Sequence, residues 1–324
     1  MELITELREK FNKYLKSQEF TQSPKELYEP NNYFLNIGGK RMRPVLVLLG
    51  AHLYDKNYED ALPAALAIEY FHNFSLIHDD IMDDAPIRRG QLTVHEKFDA
   101  NTAILSGDAL LVYAYKYLSQ VPEKHFKKIF DTFNKTAIEV CEGQQLDMNF
   151  ETQKNVKEED YLNMICLKTS VVLAAGLKIG ALIGNSTLDD AQLLYQYAIN
   201  LGIAFQIQDD ILDCYGEESL IGKQLGGDII QNKKTILLIR ALEASKQAQD
   251  NSLIRLLEDE EISKELKVEK VLSIYKKYHI KESVENLRNS YINIALEHLE
   301  KTSLPEDRKT ILKYLVDYLV NRTY

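Results

Sequence analysis

The chain has 324 residues, 45% of them hydrophobic and 27% charged, and carries a net charge of -10. This is an ordinary globular balance, long enough for two domains without requiring them, and the acidic excess argues against nucleic acid as the main partner. Cys141, Cys166 and Cys214 are odd in number and lack metal-ligand spacing, which predicts reduced, small core residues of a cytosolic protein. Met1 to Lys10 carries charges where a secretory signal has its apolar region, and the longest apolar run, Val171 to Gly184, is interrupted by Lys178 and too short to span a bilayer. The expectation is a cytoplasmic protein with no membrane insertion, which leaves room for a lipid-like substrate.

Helical periodicity dominates, and no period-2 strand is read. Leu3, Leu7, Phe11 and Leu15 mark one face of a first helix. Further helices are predicted over 41–53, 60–83, 101–118, 123–150, 158–184, 189–214, 228–248, 265–279, 282–301 and 306–321. Pro24, Pro30, Pro44, Pro63, Pro86, Pro122 and Pro305 fall at or near the proposed ends or in connections. No low-complexity linker divides the chain. The predicted architecture is one all-α domain over residues 1–324, a helical bundle around a central cavity.

Two aspartate clusters of the same spacing lie on the predicted helices. The first is Asp79, Asp80 and Asp83, and the second, 130 residues further on, is Asp209, Asp210 and Asp213. Positions i and i+4 share a helix face, about 5–6 Å apart at Cβ, so Asp79 repels Asp83 and Asp209 repels Asp213. Such pairs cost a few tenths of a kcal/mol in water and more where solvent is excluded. A lone acidic triplet is usually a solvated turn. Here each cluster ends an otherwise apolar stretch, Ala67–His78 or Leu201–Gln208. Two such pairs imply a cation between the carboxylates, and hard oxygen ligands favour Mg²⁺, which leaves its other positions to water and phosphate.

Basic residues suggest the anion. Gly38–Pro44 is a glycine turn at a helix start with Lys40, Arg41 and Arg43. Backbone N–H groups, the positive helix end and these side chains together make a diphosphate site, although a basic helix start is also often just solvated. Arg88 and Arg89 follow the first cluster and fit either an anion site or charge balance against the aspartates. His72, Lys168, Thr169 and Gln206 are polar residues in apolar surroundings. His72 and Gln206 also fit satisfied core positions. Lys233 and Lys234 precede another apolar run. Gly216, Gly222, Gly226 and Gly227 put four of the 14 glycines into twelve residues around Lys223, the composition of a surface loop or of a lid.

Gly38–Pro44, Glu69–Gly90, Leu167–Ser170, Phe205–Asp213 and Gly222–Thr235, in this order, resemble the trans-isoprenyl diphosphate synthases of the polyprenyl synthetase family over nearly the whole length. The resemblance implies the type I isoprenoid synthase fold, a homodimer, and Mg²⁺-dependent head-to-tail condensation of isopentenyl diphosphate with an allylic diphosphate (dimethylallyl, geranyl or farnesyl). It implies that Asp79, Asp83 and Asp209, helped by Asp80, Asp210 and Asp213, hold Mg²⁺ on the allylic diphosphate. Arg88, Lys168, Lys223 and Lys233 would add positive charge to that group. Thr169 and Gln206 would stabilise the allylic cation, while Lys40, Arg43, His72 and Arg89 would hold isopentenyl diphosphate. The segment from Gly216 to Asp228 would be the lid, and released diphosphate the base.

In this family the residues just upstream of the first cluster floor the product tunnel. Phe74 and Ser75 stand five and four positions before Asp79. At a helical rise of 1.5 Å per residue, Phe74 lies about 7.5 Å from Asp79 along the axis and Phe71 about 4.5 Å deeper. Aromatics on adjacent turns, with no insertion in the first cluster, resemble archaeal geranylgeranyl synthases. The expected product is C20, with C15 and then a long chain of C30 or more as the alternatives, and with Phe71 and Phe74 as plain core packing the competing reading. A class I terpene cyclase would need a second metal motif unlike Asp209–Asp213. A metal phosphohydrolase would leave that cluster unexplained, and a non-catalytic partner subunit would lack one of the two.

Overall fold

The computed structural model describes residues 2–55, 58–153, 155–216, 225–259 and 261–320. It is all-α, as expected. Among the described residues the only strand pairing is a two-residue antiparallel ladder, Ile87–Arg88 with Gln91–Leu92, which local reading could not distinguish from a turn. The chain divides into two compact units, Met1–Ala137 with Val172–Tyr195, and Ile138–Val171 with Gln196–Tyr324.

The first unit is built on the Leu62–Met82 helix, in which Ala64 through Phe71 are all buried. It packs along Ala100–Leu118. Gly107 makes the close approach possible, since a Cβ there would stand 2.5 Å from His78 Nε2. Met42–His52 crosses Val171–Ile183 at Gly180, where a Cβ would collide with the Val47 carbonyl. The first helix, Glu2–Ser17, buries Leu7 and Phe11 of the predicted stripe together with Ile4, while Leu3 and Leu15 at its ends are half-buried. Sequence reading missed the helix Lys25–Asn36 because of its prolines. Pro30 lies inside it, contrary to expectation. The lost backbone hydrogen bond is tolerated because Asn31, Phe34 and Leu35 are buried on its inner face.

The second unit carries Ile138–Val171 and the Leu188–Tyr215 helix from Gln196 onward, followed by helices Ile236–Gln247, Ser252–Glu258, Lys264–Lys277, Ile280–Glu300 and Glu306–Val320. Ile207, Ile211, Leu237, Val271, Tyr275 and Val284 lie in its core. The predicted helix 228–248 is broken. Gly227–Ile230 stops where Asn232 turns to a φ of 54°, and Thr235 restarts the chain by capping Leu238 N–H. Ser252–Glu258 was not anticipated. The predicted 158–184 helix contains a π turn at Cys166–Ser170 between Glu158–Ile165 and Val171–Ile183.

Because the helical run continues back to Glu158, Glu158–Ile183 is long and apolar enough to cross a membrane by length and composition. In the folded protein 72% of its most apolar window is buried, as in a core helix. The three cysteines are free thiols, but Cys141 is exposed and not in the core. A helix buries one face only, and a small residue can stand on either.

Candidate active site

Both aspartate clusters close a long helix. Asp79 and Asp80 sit in the last turn of Leu62–Met82, and Asp83 is its C-cap, with its N–H bonded to the Asp79 carbonyl at 2.8 Å. Asp209, Asp210 and Asp213 sit in the last two turns of Leu188–Tyr215. A helix C-terminus carries the negative end of the macrodipole, which disfavours carboxylates. Stacked carboxylates at such an end therefore fit a bound cation, and their all-oxygen donor set suits Mg²⁺.

The members of each cluster are not equivalent. Asp79 is half-buried and Asp83 exposed, whereas Asp80 is only 1% exposed. Its carboxylate accepts from Arg88 Nε at 2.8 Å and pairs with Arg88 Nη2 at 2.7 Å. Asp209 and Asp213 are half-buried, while Asp210 is buried, accepts from the Tyr161 hydroxyl, and lies 3.4 Å from the Ile236 N–H. Burial pushes the Asp210 carboxyl up to about 7, against the lowering effect of the Tyr161 bond, and Asp228 adds to the rise. Asp213 accepts from the Asp228 N–H at 3.1 Å.

In the first unit the glycine turn folds as the motif requires. Gly38 and Gly39 have φ of 94° and 138°, and a Cβ on Gly39 would stand 2.7 Å from Arg89 Nη1. Arg89 donates to the Gly38 carbonyl, so the turn and the arginine come together. Lys40 is exposed. Arg43 Nη1 donates to His72 Nε2 at 3.0 Å, which makes that nitrogen the acceptor and places the proton of the neutral ring on Nδ1. Phe71 is buried and Phe74 half-buried, with ring centroids 5.9 Å apart. Phe74 meets the His78 ring at 4.7 Å, and the half-buried Ser75 hydroxyl bonds back to the His72 carbonyl.

Desolvation, then Arg43, Arg89, Arg88 and Arg41, hold the His72 imidazolium well below its ordinary range. The folded state thus favours the neutral ring. Its contribution to stability is present above about pH 6.5 and is lost as pH falls, because the unfolded chain takes up the proton first. Denaturant unfolding at about pH 7.5 and about pH 5.5 tests this. The stability advantage of wild type over His72→Gln is expected to shrink at the lower pH, and a constant difference would refute the assignment.

In the second unit the π turn presents Lys168 and Thr169, both half-buried. Gly143 and Gly202 flank it. A Cβ on Gly143 would collide with the Lys168 backbone, and one on Gly202 would stand 2.8 Å from Ser170. Lys168 Nζ pairs with Asp147 at 2.6 Å. The Gln206 Nε2 lies 3.5 Å from Asp210 Oδ1, at the outer limit of a hydrogen bond. Lys233 is exposed, with Nζ 4.0 Å from Asp228. Lys223 and most of the expected lid lie outside the described residues. At its far edge, Gly226 N–H bonds the Asp213 carbonyl at 2.7 Å.

Sequence reading missed Glu69, Asn73, Asp147 and Tyr161. Glu69 did leave a signal, as an acid inside the apolar run from Ala64 to Phe71. Tyr161 left none.

An all-α chain with two aspartate triads, each ending a long helix, has the type I isoprenoid synthase fold. The polyprenyl synthetase family model matches residues 24–275. A geranylgeranyl diphosphate synthase of Methanosarcina mazei is 40% identical over 304 residues, covering 93% of this chain and 91% of its own. The crystal structure of a geranylgeranyl pyrophosphate synthase matches with a TM-score of 0.93 and 41% identity, covering 98% of both chains. A geranylgeranyl pyrophosphate synthase from Corynebacterium glutamicum, solved with isoprenyl diphosphate and magnesium, matches at 0.86 and 27% identity over 99% of this chain and 98% of that one. The chain belongs to the polyprenyl synthetase family and is a prenyltransferase.

Proposed function

We propose that the protein condenses isopentenyl diphosphate head to tail with allylic diphosphates, dimethylallyl, geranyl and farnesyl, and stops at geranylgeranyl diphosphate. The observation that carries this reading is the pair of aspartate triads at helix C-termini, next to separate arginine and lysine groups. Mg²⁺, when bound, neutralises the diphosphate and stabilises the charge that develops as it leaves.

Asp79, Asp83, Asp209 and Asp213 supply the ligand oxygens, and Asp80 and Asp210 support them from buried positions. Arg88, Lys168, Lys223 and Lys233 add positive charge to the allylic diphosphate. Charges held in place, as Arg88 is by Asp80 and Lys168 by Asp147, stabilise a leaving anion without reorganising during the reaction. The Thr169 hydroxyl and the Gln206 amide oxygen face the allylic cation. Lys40, Arg43, Arg89 and neutral His72 hold the isopentenyl diphosphate so that its double bond meets that cation. Released diphosphate takes the proton lost when the new double bond forms. The C20 limit is supported by the half-buried Phe74 five positions before Asp79 and by the named relatives.

The two units act as one catalytic domain of a protein that needs no membrane insertion and works in the cytoplasm. The homodimer is supported by Ile104, Leu105 and Val112, apolar residues 44%, 59% and 67% exposed along Ala100–Leu118. Sedimentation equilibrium at twice the 37.3 kDa chain mass is the expected result, and a monomer rejects it.

The test of the reaction is incubation with Mg²⁺, isopentenyl diphosphate and each primer, with products identified by mass spectrometry. A product ladder ending at C20 is expected. No condensation from folded protein would refute the reaction, and a ladder ending elsewhere would refute the length.

A further inference from the structure

We propose that the buried Arg41–Glu69 ion pair is a positioning element that sets the isopentenyl diphosphate subsite. Its carboxylate would thus be needed to capture an anion it does not touch. The inference rests on the assignment of Lys40, Arg43 and Arg89 to that substrate.

Arg41 lies between the two cations of the turn but does not share their surroundings. It is 7% exposed and Glu69 3%. The Arg41 guanidinium pairs with Glu69 and also donates to the Leu35 carbonyl. Its backbone is left-handed, with φ of 52° at the N-cap of Met42–His52. A non-glycine residue there is strained and persists only where its surroundings hold it. The side chain anchored on Glu69 supplies that hold.

Glu69 is fixed in turn, because Asn73 Nδ2 donates to its carboxylate at 3.0 Å and to its backbone carbonyl at 2.7 Å. One turn along the same helix, His72 accepts from Arg43. Two contacts, Arg41–Glu69 and Arg43–His72, thus join the turn to the Leu62–Met82 helix. Arg89 completes the arrangement through the Gly38 carbonyl. Burial, and after it Arg41, lowers the pKa of the Arg89 guanidinium, and Glu69 opposes both. The carboxylate therefore offsets the guanidinium that the fold buries at Arg41.

Glu69→Gln keeps the shape but leaves Arg41 buried without a counter-charge. The turn is then expected to shift, and Lys40 and Arg43 with it. With each substrate varied at saturating partner, KM for isopentenyl diphosphate should rise roughly ten-fold or more, while KM for the primer stays within about two-fold and kcat is largely kept. Arg41→Lys keeps the charge but reaches one partner only, and should fall between. The double variant Arg41→Met, Glu69→Leu replaces the pair with apolar packing, which often preserves stability. It keeps the test open if Glu69→Gln does not fold, and it should show the same selective rise. Unchanged KM values, or both rising together, would overturn the proposal. If wild type forms no product, the reaction assigned above fails. Calorimetry with inorganic pyrophosphate then decides this proposal by itself: weaker binding to the variants supports it, and equal binding refutes it.

Discussion

Alanine at Asp79 or Asp209 is expected to lower kcat by roughly 10²- to 10³-fold, the usual cost of removing one preorganised electrostatic contact to a transition state. The deficit should shrink as Mg²⁺ is raised, because a lost ligand weakens metal affinity before it abolishes the chemistry. Alanine at Asp80 should behave differently. Its carboxylate is turned into the protein and engaged by Arg88. The Arg88 side chain is 27% exposed, so solvent compensates part of the loss. A destabilisation of about 1–2 kcal/mol is expected, in the lower range for a charged hydrogen bond. Raising Mg²⁺ should not rescue activity, since the defect lies in the placement of Arg88. Activity against Mg²⁺ concentration and thermal melting on the same variants separate the two cases. If Asp80→Ala melts like wild type and is rescued by Mg²⁺, Asp80 is a direct ligand.

The distinction between neighbouring aspartates shows what local sequence can convey. The pairs Asp79/Asp83 and Asp209/Asp213 were legible because i,i+4 spacing is a property of the helix itself. The next residue lies about 100° around the helix, so Asp80 and Asp210 could not share that face. Which partners they turn towards was not legible. Arg88 arrives through a short β-ladder, and Tyr161 from 49 residues away. The same holds for Arg41. Its charge was visible beside Lys40 and Arg43, but its burial depends on Glu69, 28 residues distant. The π turn at Lys168 and Thr169 left no periodic signal either. It becomes intelligible only when Gly143 and Gly202 are seen to admit the neighbouring backbone.

Phe74 and Phe71 stand on adjacent turns, yet their surroundings separate them. Phe71 is 1% exposed, and its ring meets Phe133 at 5.6 Å, which itself meets Tyr115 at 5.2 Å. Removing that ring opens a cavity within packed aromatics, so Phe71→Ala is expected to cost about 3–5 kcal/mol. Phe74 is half-buried, with contacts to Phe71 and His78. Phe74→Ala should cost far less stability and instead move the product ladder from C20 to C25 and beyond. Mass spectrometry of products from farnesyl diphosphate, alongside denaturant unfolding of both variants, tests the contrast. A Phe74→Ala enzyme that is folded and active yet still stops at C20 would remove Phe74 from the floor. His78 would still hold its place, because its Nε2 lies 3.1 Å from the Ile104 carbonyl and its ring fills the space over Gly107. The truncation therefore removes one ring while its neighbour stays anchored to the adjacent helix. A longer product would then report the space that the Phe74 ring had occupied, and not a collapse of the helix pair.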